Sequence, residues 1–251
     1  KALMGDDALG KATLKLKKAL AAHDKVAEAG ALKELALIHL TSSLNEYELA
    51  MEFFLKCLAI EDSLNMKEKR IFTYMGMAKV FEDVGDFYKG AQQLSLALED
   101  NKDIRIRMYI LNQLGKLHVY MEKTEEAFNN YEEVLSFNEQ VDEPKLKADA
   151  LFNQGELHKF ERKYEEALSS HRKALAIWRS LKDKKNVAFS LNTIGALYEL
   201  RKEDSKALNN YVVALKTNQE LHDKMGIAES YNNIGALYYK KGNFQRAIDN
   251  L

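Results

Sequence analysis

One proline, one cysteine and only twelve glycines in 251 residues leave few points at which a helix would have to break. A lone Cys57 can build neither an intramolecular disulfide framework nor a thiolate zinc cluster, which points to a reducing, cytoplasmic setting. No apolar run approaches the roughly 20 residues that a membrane-spanning helix needs, so none is expected. Neither sign of charge prevails: 37 basic against 38 acidic residues give a net charge of -1, without the basic excess that nucleic acids or membrane surfaces require. The sequence also holds no phosphate-cradling glycine loop, nucleophile elbow, zincin helix or Cys/His pair, so neither an enzyme nor a bound cofactor is expected. With 46% hydrophobic and 30% charged residues, the chain has the profile of a soluble, largely helical protein rather than a disordered one. It begins at Lys1 without an initiator methionine or a signal-type apolar stretch, and reads as part of something longer.

What is present is a repeat. Gly115, Gly155, Gly195 and Gly235 are evenly spaced, and Ala127, Ala167, Ala207 and Ala247 follow them in the same step, each at the same distance from its glycine. Units of this length cannot bury their own apolar faces and must stack on neighbours. Around each glycine, Leu111, Leu151, Leu191 and Tyr231 lie four before, and His118, His158, Tyr198 and Tyr238 three after. That separation is two helical turns, so the pair shares one seam and the glycine lets a neighbouring helix approach. This is helix A. A polar turn such as Glu161-Arg162-Lys163 leads into helix B, whose inward positions are Ala127, Tyr131, Val134 and Leu135, then Ala167, His171, Ala174 and Leu175, then Ala207, Tyr211, Ala214 and Leu215. Cys57 takes the place of Ala97, Ala174 and Ala214 and should be a small core residue.

The pattern Leu-x-x-x-Gly-x-x-aromatic in helix A, with small, aromatic and small residues in helix B, resembles the tetratricopeptide repeat. The resemblance implies an all-α, right-handed superhelical solenoid of antiparallel helix pairs. It covers residues 1–251 as one domain, with units near 1–28, 29–68, 69–105, 106–145, 146–185, 186–225 and 226–251. The spacing of the glycines exceeds the usual period of about 34 residues and implies longer helices, as in a long-repeat subgroup. That subgroup implies the sensory or regulatory part of a larger bacterial signalling protein. The alternatives are a stand-alone adaptor of the spindle-orientation or kinesin-light-chain type, the latter disfavoured because its His-Pro turn is missing, or an oligomerisation scaffold. The end at Ile248 and Leu251 predicts an exposed apolar strip, missing residues or a self-association contact.

A protein or peptide partner is therefore expected, in a groove lined by the face of helix A turned away from helix B. Asn112, Asn192 and Asn232 lie three before the glycine, and Asn153 and Asn233 two before it. An amide both donates and accepts, so such a ladder can hold an extended backbone; the alternatives are bonds to a neighbouring helix or to water. Lys116, Lys159 and Lys240 reach the same face, but so do Asp149, Glu156, Glu199 and Glu229, which argues against a lysine clamp for a terminal carboxylate or a phosphate-rich ligand. Tyr120, Phe160, Phe189 and Tyr239 are candidate side-chain pockets. His118, His158 and His171 fill aromatic positions and read as core, with no metal-ligand spacing. Gln154, where Leu114, Ile194 and Ile234 are apolar, must find a hydrogen-bond partner.

Overall fold

The computed structural model describes residues 2–41 and 46–249. Among them the regular elements are thirteen α-helices and no strand. Two compact units divide the chain, Lys1–Lys123 and Thr124–Leu251. The first contains α1 (Ala2–Ala21), α2 (Lys25–Thr41), α3 (Tyr47–Ser63), α4 (Lys67–Asp83), α5 (Phe87–Asp100) and α6 (Ile104–Tyr120). The second contains α7 (Thr124–Asn138), α8 (Pro144–Phe160), α9 (Tyr164–Ser180), α10 (Lys184–Leu200), α11 (Asp204–Glu220), α12 (Lys224–Lys240) and α13 (Phe244–Ile248). Within each unit every helix packs on the next in sequence, so short turns make antiparallel pairs.

The repeat period now has a mechanical origin. Helices α8 to α12 are all of one length, and three-residue turns separate them, so each helix with its turn makes half of one period. Every one of these turns, and the like turn from α12 into α13, has its middle residue at positive φ: Arg162, Lys182, Lys202, His222 and Gly242. The following amide then bonds back to the last helical turn, as from Lys163 N to His158 O (2.8 Å), Asp183 N to Trp178 O (3.0 Å) and Glu203 N to Tyr198 O (2.8 Å). This closes each helix by the Schellman pattern, in which a left-handed residue satisfies carbonyls that would otherwise be orphaned. Only one of the five is glycine, so four residues with side chains carry the strain of that conformation. Asp183 and Asp223 then cap the next helix, accepting from the amides of Asn186 (3.1 Å) and of Met225 and Gly226 (both 3.2 Å).

In the pairs α8/α9 and α10/α11 the glycine meets the aromatic position. A Cβ added to Gly195 would lie 2.5 Å from the Tyr211 ring, and one added to Gly155 would lie 2.6 Å from the His171 imidazole. The close approach of helices A and B is therefore set by glycine facing a ring. Ala127, Ala167, Ala207, Ala174 and Ala214 are fully buried, as is Cys57, whose Sγ donates to Ala29 O at 3.2 Å. Burial pushes the Cys57 thiol up to about 11, which leaves it protonated and inert near neutrality. Glu125, Glu126, Glu165 and Glu166 occupy the first turns of α7 and α9, where the helix dipole favours them. Gln154 has the partner it needed, donating to Glu132 Oε1. Ile248 is exposed, and Leu251 lies outside the described residues.

Candidate functional site

The face of helix A can be built from the glycine as origin, at about 100° of rotation per residue. Positions six and two before it, and one and five after it, fall within a strip about 60° wide, on the side away from the glycine seam. On α8 these are Asp149, Asn153, Glu156 and Phe160; on α10, Phe189, Thr193, Ala196 and Leu200; on α12, Glu229, Asn233, Ala236 and Lys240. Every one of the twelve is exposed or half-buried. These A helices form a layer of their own in the second unit. The rings of Phe152 on α8 and Phe189 on α10 lie 5.2 Å apart, and α10 touches α12 directly.

The expected asparagines separate into two sets. Position minus three is turned toward the next A helix rather than toward the open strip, and Asn112 and Asn192 are accordingly buried, at 2% and 3% exposure. Asn192 is held there by Ser230 of α12: its Nδ2 donates to Ser230 Oγ at 3.3 Å, and the hydroxyl is 3.4 Å from Asn192 Oδ1. Asn218 of α11 donates to the same hydroxyl at 3.3 Å. Asn232 occupies the same position on α12 and is exposed, whereas Phe152 replaces it on α8. Position minus two is the accessible row, where Asn153 and Asn233 are half-buried. Gln113 on α6 and Thr193 on α10 stand in that same row, also half-buried, and were not singled out from the sequence. Phasing each helix wheel on its glycine would have found them.

The lysines are all committed to carboxylates. Lys116 of α6 pairs with Glu82 of α4 at 3.2 Å, Lys159 pairs with Glu156 within α8, and Lys240 of α12 pairs with Glu199 of α10. Glu199 also accepts from the Tyr211 hydroxyl at 3.0 Å; burial and that neighbouring carboxylate both push the Tyr211 phenol up. Beneath Glu156 lies fully buried His171, its Nε2 3.2 Å from Glu156 Oε1, with the edge of Phe152 against its ring. Burial acts to raise the Glu156 carboxyl, but the adjacent His171 imidazole and the hydrogen-bonded Lys159 ammonium outweigh it and hold the group below the usual carboxylate range. The lysines of these helices are thus paired, Glu229 on α12 adds an exposed carboxylate, and much of the remaining surface is apolar or amide-bearing. In the second unit its exposed members include Phe160 (59%), Phe189 (49%), Leu200 (53%) and Tyr239 (65%); on α6 of the first unit, taken by itself, Tyr109 and Tyr120 are exposed at the corresponding helix positions. Leu200 escaped sequence reading because an isolated leucine at a helix end carries no signal until the face is known. Among the described residues no three His, Cys, Asp or Glu side chains converge to hold a metal ion, and no helix is long and apolar enough to cross a membrane.

The fold recurs in solved structures. Aspartyl phosphate phosphatase F from Bacillus subtilis is similar, with a TM-score of 0.76 at 15% identity over 94% of this chain and 72% of that one. A signal transduction ATPase with numerous domains from Pyrococcus horikoshii, which has a tetratricopeptide repeat sensor, matches with a TM-score of 0.68 at 19% identity, over 94% of this chain and 37% of that one. BtubC from P. vanneervenii gives 0.62 at 20% identity, over 98% and 88%. No curated protein sequence matches the chain. Tetratricopeptide repeat profiles match residues 35–64, 106–180, 146–220 and 227–251, together more than half of the sequence. With glycine facing a ring in its helix pairs and those matches along its length, the chain belongs to the tetratricopeptide repeat family.

Proposed function

We propose that this protein is a polypeptide-binding scaffold of the long-repeat kind, the sensory or regulatory part of a larger signalling protein. The ligand is an extended segment lying across the open strip of α8, α10 and α12. The observation that carries this reading is the coincidence on one strip of half-buried hydrogen-bonding side chains at Asn153, Thr193 and Asn233 with exposed Phe160, Phe189 and Leu200. Amides and a hydroxyl at one level on successive helices suit the repeating donors and acceptors of a main chain, and the flanking rings suit its apolar side chains. Asn232, Tyr239 and Lys159 flank the strip as further contacts, with Lys159 contributing its alkyl stem more than its paired charge. Asn192, bonded to Ser230, serves by holding α10 against α12, and buried Asn112 belongs to the same class of support.

Affinity capture from the native lysate tests this, comparing wild type with an Asn153→Ala, Asn233→Ala, Tyr239→Ala variant of matching helical circular dichroism. A partner retained by wild type and reduced at least tenfold by the variant is the expected result. Equal retention by both would move the site off the A helices.

A further inference from the structure

The pair α8/α9 departs from its neighbour α10/α11 at three linked positions. Where α10/α11 has Ala196, Glu199 and Tyr211, the same places hold Glu156, Lys159 and His171. In α10/α11 the phenol over the glycine donates to Glu199 and, being pushed up, keeps its proton throughout the neutral range. In α8/α9 the ring over the glycine is an imidazole, the side chain that ordinarily gains a proton between about pH 5 and 8. It is fully buried, and neither ring nitrogen has a hydrogen-bond partner among the described residues. Its Nε2 lies 3.2 Å from Glu156 Oε1, while the other carboxylate oxygen, Oε2, accepts from Lys159 Nζ at the surface. One carboxylate thus stands between a buried imidazole and a lysine of the strip.

We propose that His171 is a proton sensor for the strip: on acidification its Nε2 takes a proton from solvent and pairs with Glu156, leaving the charge of Lys159 uncompensated on the binding face. The net charge of the three groups then goes from zero to plus one, a change felt within about 8 Å at physiological salt. The other groups around the ring do not follow it. From α10 the Tyr198 hydroxyl accepts from Arg172, and Arg201, just beyond that helix, pairs with Glu165 at 2.7 Å. On α9 itself Arg172 and Lys173 are exposed. Arginine, lysine, tyrosine and glutamate do not ordinarily change charge between about pH 5 and 8. His158 of α8 lies instead against Phe128 of α7 and Glu161. A segment carrying acidic side chains is therefore held more firmly below neutrality than above it. That regulatory meaning rests on the strip being the binding face, whereas the proton and the charge can be read without a partner, so the two can fail separately.

The test is NMR of the whole chain between about pH 7.5 and 5.5. The His171 ring nitrogens should report formation of the imidazolium, with a matching step at the Glu156 carboxyl carbon. Anionic and cationic nitroxide cosolutes then read the charge of the strip through their relaxation of the Asn153 and Phe160 protons. The ratio of anionic to cationic relaxation should rise roughly twofold on acidification in the wild type. His171→Tyr installs the ring that the neighbouring pair carries and should abolish both the carboxyl step and the rise. His171→Phe must act alike, so the result does not depend on one variant folding. Ring nitrogens that stay neutral over this range, a Glu156 carbon without the step, or a ratio that rises equally in a folded His171→Tyr or His171→Phe protein would overturn the assignment.

Discussion

Two junctions in the second unit do the same job with opposite chemistry. Where α8, α9 and α10 meet, Phe152, Trp178 and Ser190 occupy the positions that Asn192, Asn218 and Ser230 occupy, one repeat later, where α10, α11 and α12 meet. The first is an apolar cluster in which Phe152 and Trp178 pack with Ala148, Leu151 and Ala174. The second is a buried polar triad centred on the Ser230 hydroxyl, which also donates to Gly226 O at 2.9 Å. The backbone period is unchanged by the exchange: the rings of one junction find apolar neighbours, with only the Ser190 hydroxyl left without a partner, and the amides of the other find a hydroxyl. The polar version carries an extra requirement. Asn218 lies where the Cβ of residue 226 would be, at 2.6 Å, so that position is glycine.

The comparison can be broken most severely at the apolar junction. Trp178→Ala removes a side chain that is 2% exposed and should cost about 3–5 kcal/mol in denaturant unfolding. The two serines give the sharper contrast. Ser230→Ala strands the amides of Asn192 and Asn218 and should cost roughly 1–3 kcal/mol, whereas Ser190→Ala should be nearly neutral. Ser190 Oγ is buried without a hydrogen-bond partner among the described residues, so little is lost with it. Equal costs for the two serines would show that the polar triad does not hold its junction. Gly226→Ala should destabilise by about 1–3 kcal/mol by pushing Asn218 off Ser230, and pairing it with Asn218→Ala should recover part of that loss.

Smaller effects follow from charge and turns. The Glu156 carboxyl lies lower in the folded protein than its ordinary value. Its contribution to stability is therefore complete above that ordinary value and is lost as pH falls through the folded one. Acid unfolding curves of Glu156→Gln and wild type should converge below that range and separate above it. Lys202→Gly should stabilise by roughly 1 kcal/mol, because glycine accepts the positive φ of 60° that lysine adopts under strain.

Much of the fold was legible in the sequence because glycine and alanine at one fixed period encode close helix approach, which has few substitutes. The Gly155–His171 and Gly195–Tyr211 contacts are where those letters point. The turns were less legible. Arg162, Lys182, Lys202 and His222 adopt a conformation that their side chains disfavour, and nothing in a lysine or arginine announces it. In the candidate site, the asparagine rows were visible but not their depth. One residue of rotation separates position minus three, covered by the next A helix as Asn192 is by Ser230, from position minus two, which stays open at Asn153 and Asn233. That distinction depends on where the neighbouring helix lies, which a single repeat does not state.

The central claim is that partners bind on the A-helix strip. The most direct measurement places a photo-crosslinking residue at Asn233, on the strip of α12, and separately at Val212, exposed on α11. A partner captured in lysate through position 233 and not through position 212 is the predicted result. Crosslinking through 212 alone would contradict the account and assign recognition to the B helices.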